Sequence, residues 1–160
     1  MGVPYIPIRG LMGSDMMKRR DDMLVMPNPF NPTERNVVAK AITPDVAVFH
    51  GLKADKAGNV LAVEGREELM MGQASRRVIW TVEEMVDEID PKDPTGNFIP
   101  TIEVGIVVHA PGGAYPSKCP GYYETDAEHM REYIKATASD ETFREYLEKH
   151  VFAKTVAAMA

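Results

Sequence analysis

Apolar residues along the chain fall into short runs of four to seven, broken by glycine- and proline-rich stretches, and the runs change period from one to the next. Val3–Ile8 predicts a short strand, whose two prolines put it at an edge or early position. The glycine-rich turn Arg9-Gly-Leu-Met-Gly-Ser-Asp15 follows, and Ser14 or Asp15 is placed to cap a short helix carrying Met16, Met17 and Lys18. Pro27–Pro32 reads as a rigid loop, because three prolines fix φ and remove donors. Val37–Ile42 and Asp45–His50 are strand candidates, and the nearly unbroken apolar run of the second predicts a strand covered on both faces. Asp55–Asn59 is a turn and Val60–Val63 another strand. Arg66–Arg76 is helical by composition, although Gly72 costs it roughly 1 kcal/mol.

Arg77–Val82 then reads as a strand, so strand, helix and strand form a βαβ unit of the kind that builds parallel sheets. Thr81 and Glu84 have capping-box spacing, which predicts a helix from there to Ile89. Asp90–Pro100 and Pro111–Gly121 read as long loops on either side of a β-branched strand, Ile102–His109. Thr125 and Glu128 form a second capping box, opening a helix with inner face Met130, Tyr133, Ile134 and Thr137. Asp140 starts a last helix with Phe143, Tyr146, Leu147 and Val151 on one stripe. The class is α/β, a mostly parallel open sheet with flanking helices that ends in a helical hairpin.

Composition narrows the function more than the fold. At 160 residues, 44% apolar and 26% charged, the chain is an ordinary globular domain, not disordered, collagenous or coiled-coil. Eighteen basic against 24 acidic residues leave a net charge of −6, which argues against nucleic-acid or anionic membrane partners. No run approaches the roughly 18 apolar residues of a spanning helix. The start lacks a signal peptide's basic and apolar regions, and the lone Cys119 forms no intrachain disulfide, so a cytoplasmic location is expected.

Most candidate chemistry has a structural explanation. His129 and Glu132 share a helix face at i, i+3, but no second such pair supports a metal. Cys119 with His109 or His129 is a thiolate–imidazole combination that spacing alone does not establish. Glu83 and Glu84 fall in the predicted first helical turn, where the macrodipole and the capping box account for them. Lys18–Arg20 and Arg76-Arg77 read as solvated faces. The loops are different. His50 lies at the carboxyl end of a predicted strand, where open α/β sheets take their ligands. Arg9–Asp15 is suited to bringing backbone N–H groups near an anion. Pro111–Tyr123 is too long and specialised for a mere connection.

Those segments, taken in order, resemble the family I CoA-transferases, in particular the α subunits of the glutaconate CoA-transferases. The resemblance runs from Gly2 to about Phe152. It is carried by Gly2-Val-Pro-Tyr-Ile-Pro-Ile8, Asn28-Pro-Phe30, Asp45-Val-Ala-Val-Phe-His50, Asp55-Lys-Ala-Gly-Asn-Val60, Thr81-Val-Glu-Glu-Met-Val86, Pro111-Gly-Gly-Ala-Tyr-Pro-Ser117, and Gly121-Tyr-Tyr123 with Asp126. Two departures stand out: Tyr115 replaces a histidine of the family, and Ile99-Pro100-Thr101 replaces an Ile-Pro-Gly turn. The resemblance implies the carboxyl-terminal half of an α-type domain of the CoA-transferase (NagB/RpiA-like) fold over residues 1–152, with 153–160 a tail. It implies further that an amino-terminal α portion, with its own glycine-rich signature, is a missing partner from a truncated, split or proteolysed protein.

The family moves CoA between an acyl-CoA and a free carboxylic acid through a glutamate in a Ser-Glu-Asn-Gly motif on a partner β-type subunit. No Glu-Asn-Gly occurs here, so no catalytic nucleophile is expected on this chain and it is not expected to be active alone. Arg9, Gly10, Gly13, Ser14 and His50 are the expected substrate- or CoA-binding residues, with no metal. Coenzyme A is the expected co-substrate and no cofactor is expected to stay bound. Two alternatives remain open: a subunit of a hydrolase of the same family that opens cyclic diketone CoA esters, and a non-catalytic structural subunit.

Overall fold

The computed structural model describes residues 2–64 and 67–152, so the tail assigned to 153–160 lies outside the described residues. Two compact units are present: Met1–Ala47 with Glu67–Val78, and Val48–Arg66 with Ile79–Ala160, each through its described residues.

The first unit holds β1 (Tyr5–Ile8), α1 (Met16–Arg19), β2 (Met23–Asn28), β3 (Asn31–Lys40) and α2 (Glu68–Ala74). Its three strands form an antiparallel sheet in the order β1-β3-β2, with Tyr5 opposite Lys40 and Met23 opposite Ala39. The proline-bearing β1 takes the expected edge. The segment read as a rigid loop is instead a hairpin. Pro27 and Pro32 sit within β2 and β3, the register shifts after Pro27, and only Pro29 and Phe30 form the tip. Prolines are tolerated at bulges and on edge strands, which is where the loop reading failed. Asn28 holds the tip by accepting the Phe30 N–H (3.0 Å), leaving the Phe30 ring 95% exposed.

The second unit contains most of β4 (Ala47–Asp55) and β6 (Val78–Val86), with β5 (Val60–Ala62), β7 (Asn97–Ile99) and β8 (Ile106–His109). The five strands run in the order β7-β5-β4-β6-β8. Pairing is of both senses: β5 is antiparallel to β4 and to β7, while β8 is parallel to β6. The core is Leu52, Ala54, Val60, Leu61, Trp80, Val82, Ile89 and Ile99. Trp80 is buried against Phe49, with ring centroids 4.9 Å apart. β4 is not covered on both faces as expected, since Val48 is 63% exposed. The long loop read over Asp90–Pro100 contributes β7, and a 3-10 turn at Thr101–Glu103 precedes β8.

The predicted helix from Thr81 to Ile89 does not form; β6 runs straight through it to Val86. Capping-box spacing is a local signal, and here a sheet neighbour on each side supplies the backbone partners that a helix would have supplied internally. Strand periodicity puts Thr81 and Glu83 on one face. The Asp55 turn forms as expected. Its carboxylate accepts from Ala57 N (3.0 Å), Asn59 N (2.9 Å), Asn59 Nδ2 (2.8 Å) and Ile89 N (3.3 Å), tying the β4–β5 hairpin to the chain beyond β6.

The terminal hairpin is α3 (Ala127–Ala136) and α4 (Asp140–Leu147), continued by a wide π-type turn, Glu148–Phe152. Asp126, not Thr125, caps α3, accepting from Glu128 N (3.0 Å) and His129 N (2.9 Å). Ser139 caps α4. The helices meet through edge-to-face rings, Tyr133 against Phe143 and Tyr146. The predicted inner face of α3 is not buried, and Ile134 stays 64% exposed. Among the described residues, no helix is long and apolar enough to cross a membrane.

Candidate functional site

Neighbouring strands β4 and β6 bring His50 and Glu83 together on one face, and the chain after β8 wraps over them. His50 Nε2 lies 2.7 Å from Glu83 Oε1, and His50 Nδ1 lies 2.8 Å from Thr81 Oγ1. Gly112 N–H donates to Glu83 Oε2 (2.7 Å), and the Tyr123 hydroxyl donates to Oε1 (2.5 Å). The Tyr123 oxygen in turn accepts from Ala114 N–H (3.0 Å). His109 Nε2 meets the Glu83 carbonyl oxygen at 3.2 Å. Glu83 is buried to within 7% of full coverage. Burial alone would raise its pKa, but the Tyr123 hydroxyl, the Gly112 amide and His50 outweigh it and hold the carboxyl below its ordinary value. The same burial, with Glu83 alongside, pushes the Tyr123 phenol up to about 12.

The Thr81 hydroxyl also reaches the Phe49 carbonyl (3.2 Å). The Glu83 carboxylate can only accept, so the hydrogen bond at His50 Nε2 places a proton on that nitrogen. Both ring nitrogens and both carboxylate oxygens are thus engaged within the network.

Gly113 lies flat against the imidazole; a Cβ there would come within 2.8 Å of His50 Cε1 and 2.9 Å of the Ala110 carbonyl oxygen. That close approach explains the second glycine of Pro111-Gly-Gly113. The loop's own amides are used internally or by the network: Gly113 to Ala110 O, Tyr115 to Gly112 O, Ser117 to Ala114 O. Cys119 is 2% exposed and packs with Leu52, Leu61 and Ile89. Its sulfur lies with His50 and Glu83, ligand atoms of the three being within 4.8 Å of one another.

A second grouping of metal-ligand types joins His129 and Glu132 to His150, a residue spacing did not connect to them. Glu132 Oε1 already meets Lys149 Nζ (2.7 Å) and His150 Nε2 (3.1 Å), and these two hold the carboxyl down at about 2. His129 Nε2 meets the Tyr146 hydroxyl at 2.6 Å. Tyr115, standing where the family has histidine, donates to Asp126 (2.7 Å). Together these contacts fasten the helical hairpin.

Of the expected site residues, Arg9, Gly10, Gly13 and Ser14 are gathered in one loop of the first unit, while His50 belongs to the second. Gly10 (φ +84°), Leu11 (φ +60°) and Gly13 (φ +76°) are all left-handed, a conformation that costs a non-glycine residue such as Leu11 about 1 kcal/mol. Arg9 is exposed, and the Ser14 hydroxyl is buried with no hydrogen-bond partner among the described residues. Glu83 and Tyr123 were missed as site residues. The β-branched and aromatic run Val78–Val82, leading directly into Glu83, was the signal that could have kept Glu83 on a strand.

Comparison with known proteins follows the same lines. The coenzyme A transferase family profile matches residues 1–110. The A component of the 3-oxoadipate CoA-transferase of Pseudomonas knackmussii is 33% identical over 153 residues, covering 94% of this chain and 53% of its own. The corresponding A component of the glutaconate CoA-transferase of Acidaminococcus fermentans is 32% identical over 169 residues, covering 95% and 53%. The crystal structure of glutaconate coenzyme A-transferase from that organism matches with a TM-score of 0.83 at 29% identity, again over 95% and 53%. A variant of the decarboxylase AibA/AibB matches with a TM-score of 0.77 at 32% identity, over 92% and 53%. The chain thus spans about half the length of these relatives.

Proposed function

The chain belongs to the coenzyme A transferase family, and from that premise we propose that it is an α-type component of a heteromeric, cytoplasmic CoA-transferase, moving CoA between an acyl-CoA and a free carboxylic acid. Coenzyme A is a co-substrate in this reading, not a resident cofactor. The nucleophile comes from a β-type partner subunit, since this sequence has no Ser-Glu-Asn-Gly. That glutamate attacks the acyl carbonyl and expels CoA as its thiolate. The thiolate then attacks the glutamyl side of the anhydride, leaving a glutamyl-CoA thioester and the free acid. A carboxylate is a weak nucleophile in water, so the surrounding chains must position it, exclude solvent and supply donors to the oxyanion.

The observation that carries this role is the Arg9–Ser14 loop. Its left-handed residues, among them the non-glycine Leu11, the exposed guanidinium of Arg9 and a buried Ser14 hydroxyl with no hydrogen-bond partner among the described residues make a donor-rich turn. Strained backbone of this kind is kept where function uses it. The turn suits an anion, either a substrate carboxylate or a CoA phosphate. The test is an acyl-CoA assay, with and without acceptor acid, on this chain assembled with the preceding α half and the β-type subunit. CoA should pass to the acid, and Arg9→Ala should raise KM for an anionic substrate by about tenfold. Loss of thioester without an acceptor would make the protein a hydrolase. Full activity in the Arg9→Ala assembly would leave this loop without the assigned role.

A further inference from the structure

His50 was expected to touch the ligand, but both its ring nitrogens are already spent, one on Thr81 and the other on Glu83. Its chemistry is directed inward. Glu83 in turn grips the loop after β8 at two places eleven residues apart, Gly112 through Oε2 and Tyr123 through Oε1. Between those points the chain carries exposed Tyr115 and Tyr122 and the buried Cys119. Tyr122 borders a cavity of about 420 Å³ together with Lys53, Glu84, Thr95 and Gly121. Its hydroxyl donates to the Leu52 carbonyl (3.2 Å) and Glu84 (3.1 Å). A loop of this length, with turns and one isolated bridge (Cys119–Tyr123) as its regular structure, would ordinarily fluctuate. Here one buried carboxylate bonds to both ends, alongside the Tyr122 bonds to Leu52 and Glu84, and His50 meets it from behind.

We propose that Glu83 is a positioning residue of the transfer site: backed by His50, it latches both ends of the 111–123 loop to the sheet so that the loop stands as a rigid wall of the acyl-CoA pocket. The proposal rests on the CoA-transferase reading for the words "transfer site"; the latch itself does not. Glutamine at this position puts an NH2 group against either the Gly112 N–H or the Tyr123 hydroxyl, and leaves His50 Nε2 without its carboxylate partner. Phenylalanine at 123 removes one donor to Glu83 and the acceptor of Ala114 N–H, a milder lesion that spares the His50–Glu83 contact.

Cys119 is the chain's single cysteine and lies inside the latched segment, so its alkylation reports opening of the loop. The experiment uses the assembled complex and follows iodoacetamide labelling of the Cys119 peptide by mass spectrometry, beside circular dichroism and steady-state kinetics. Glu83→Gln should label on the order of tenfold faster than wild type with an unchanged far-UV spectrum, and Tyr123→Phe less so. In the same preparations kcat should fall more than KM rises, because a displaced wall misplaces the reacting groups without removing a substrate contact. If both variants label at the wild-type rate, the latch is wrong. If they label faster yet turn over normally per folded molecule, Glu83 is structural only. If wild type itself transfers no CoA but the labelling rates separate as stated, the latch stands and the transferase reading fails. Should Glu83→Gln not fold, Tyr123→Phe decides alone on the same two readouts.

Discussion

Replacing Asp55 by asparagine tests the hairpin that carries His50's strand into its neighbour. The Asp55 carboxylate is buried and accepts four N–H donors: Ala57 N and Asn59 N on Oδ1, Asn59 Nδ2 and Ile89 N on Oδ2. Burial works against its ionisation, but the donors of Asn59, Ile89 and Ala57 together outweigh burial and hold the carboxyl below its usual range. In the Asp55→Asn protein one oxygen becomes an NH2 group, so one pair of donors meets another donor. Hydrogen bonds to a charged group contribute about 1.5–3 kcal/mol each, and a buried amide left unmet costs about 1–3 kcal/mol. Part of that loss is recovered by local relaxation, which leaves an expected destabilisation of about 3 kcal/mol. Urea titration followed by far-UV circular dichroism measures it directly.

The pH dependence gives a second, independent reading of the same substitution. A depressed carboxyl contributes stability that is present above its unfolded pKa, about 3.9, and is lost as pH falls from there toward the folded value. Asparagine does not titrate. The gap between wild type and Asp55→Asn should therefore be constant through the neutral range and narrow below about pH 4. A difference under about 1 kcal/mol at neutral pH, or a gap that stays constant into acid, would refute the reasoning from donor count.

Trp80, the single tryptophan, is 1% exposed and its indole N–H has no hydrogen-bond partner among the described residues. Trp80→Ala should cost about 3–5 kcal/mol through the cavity it leaves, whereas Trp80→Phe should cost only about 1 kcal/mol, because losing the unmet N–H offsets much of the lost volume; equal costs in denaturant titrations would count against the orphan N–H. Tyr122 and Tyr123 are both pushed up to about 12, first by burial and then by the carboxylates of Glu84 and Glu83. An absorbance titration should find the Tyr122 and Tyr123 phenols ionising late, near the top of the curve, and Glu84→Gln should bring Tyr122 down. A single common transition would contradict it.

Local chemistry was enough to read part of this protein. The Asp55–Asn59 turn and the caps near Asp126 and Ser139 depend on side chains bonding to backbone two to four residues away, and such contacts are written in spacing. The edge placement of β1 follows from its prolines, and the Arg9–Ser14 turn from its glycines. The ordered set of motifs also pointed to the family.

What tertiary structure alone decided is the pairing of distant strands. The segment from Thr81 satisfies a helix start as well as a strand, and neighbours far away in sequence, His50 and Val108 among them, determine which forms. Once β6 is a strand, Glu83 passes from an exposed helical turn to a buried carboxylate, and the meeting of residues 50, 83, 112 and 123 follows. The hairpin at Phe30 was hidden for the same reason, since prolines that read as loop are accommodated by a register shift that exists only when β2 and β3 pair. Spacing encodes what a residue can do to its near neighbours. Burial, and the company a charge keeps inside, are set by contacts across the sheet.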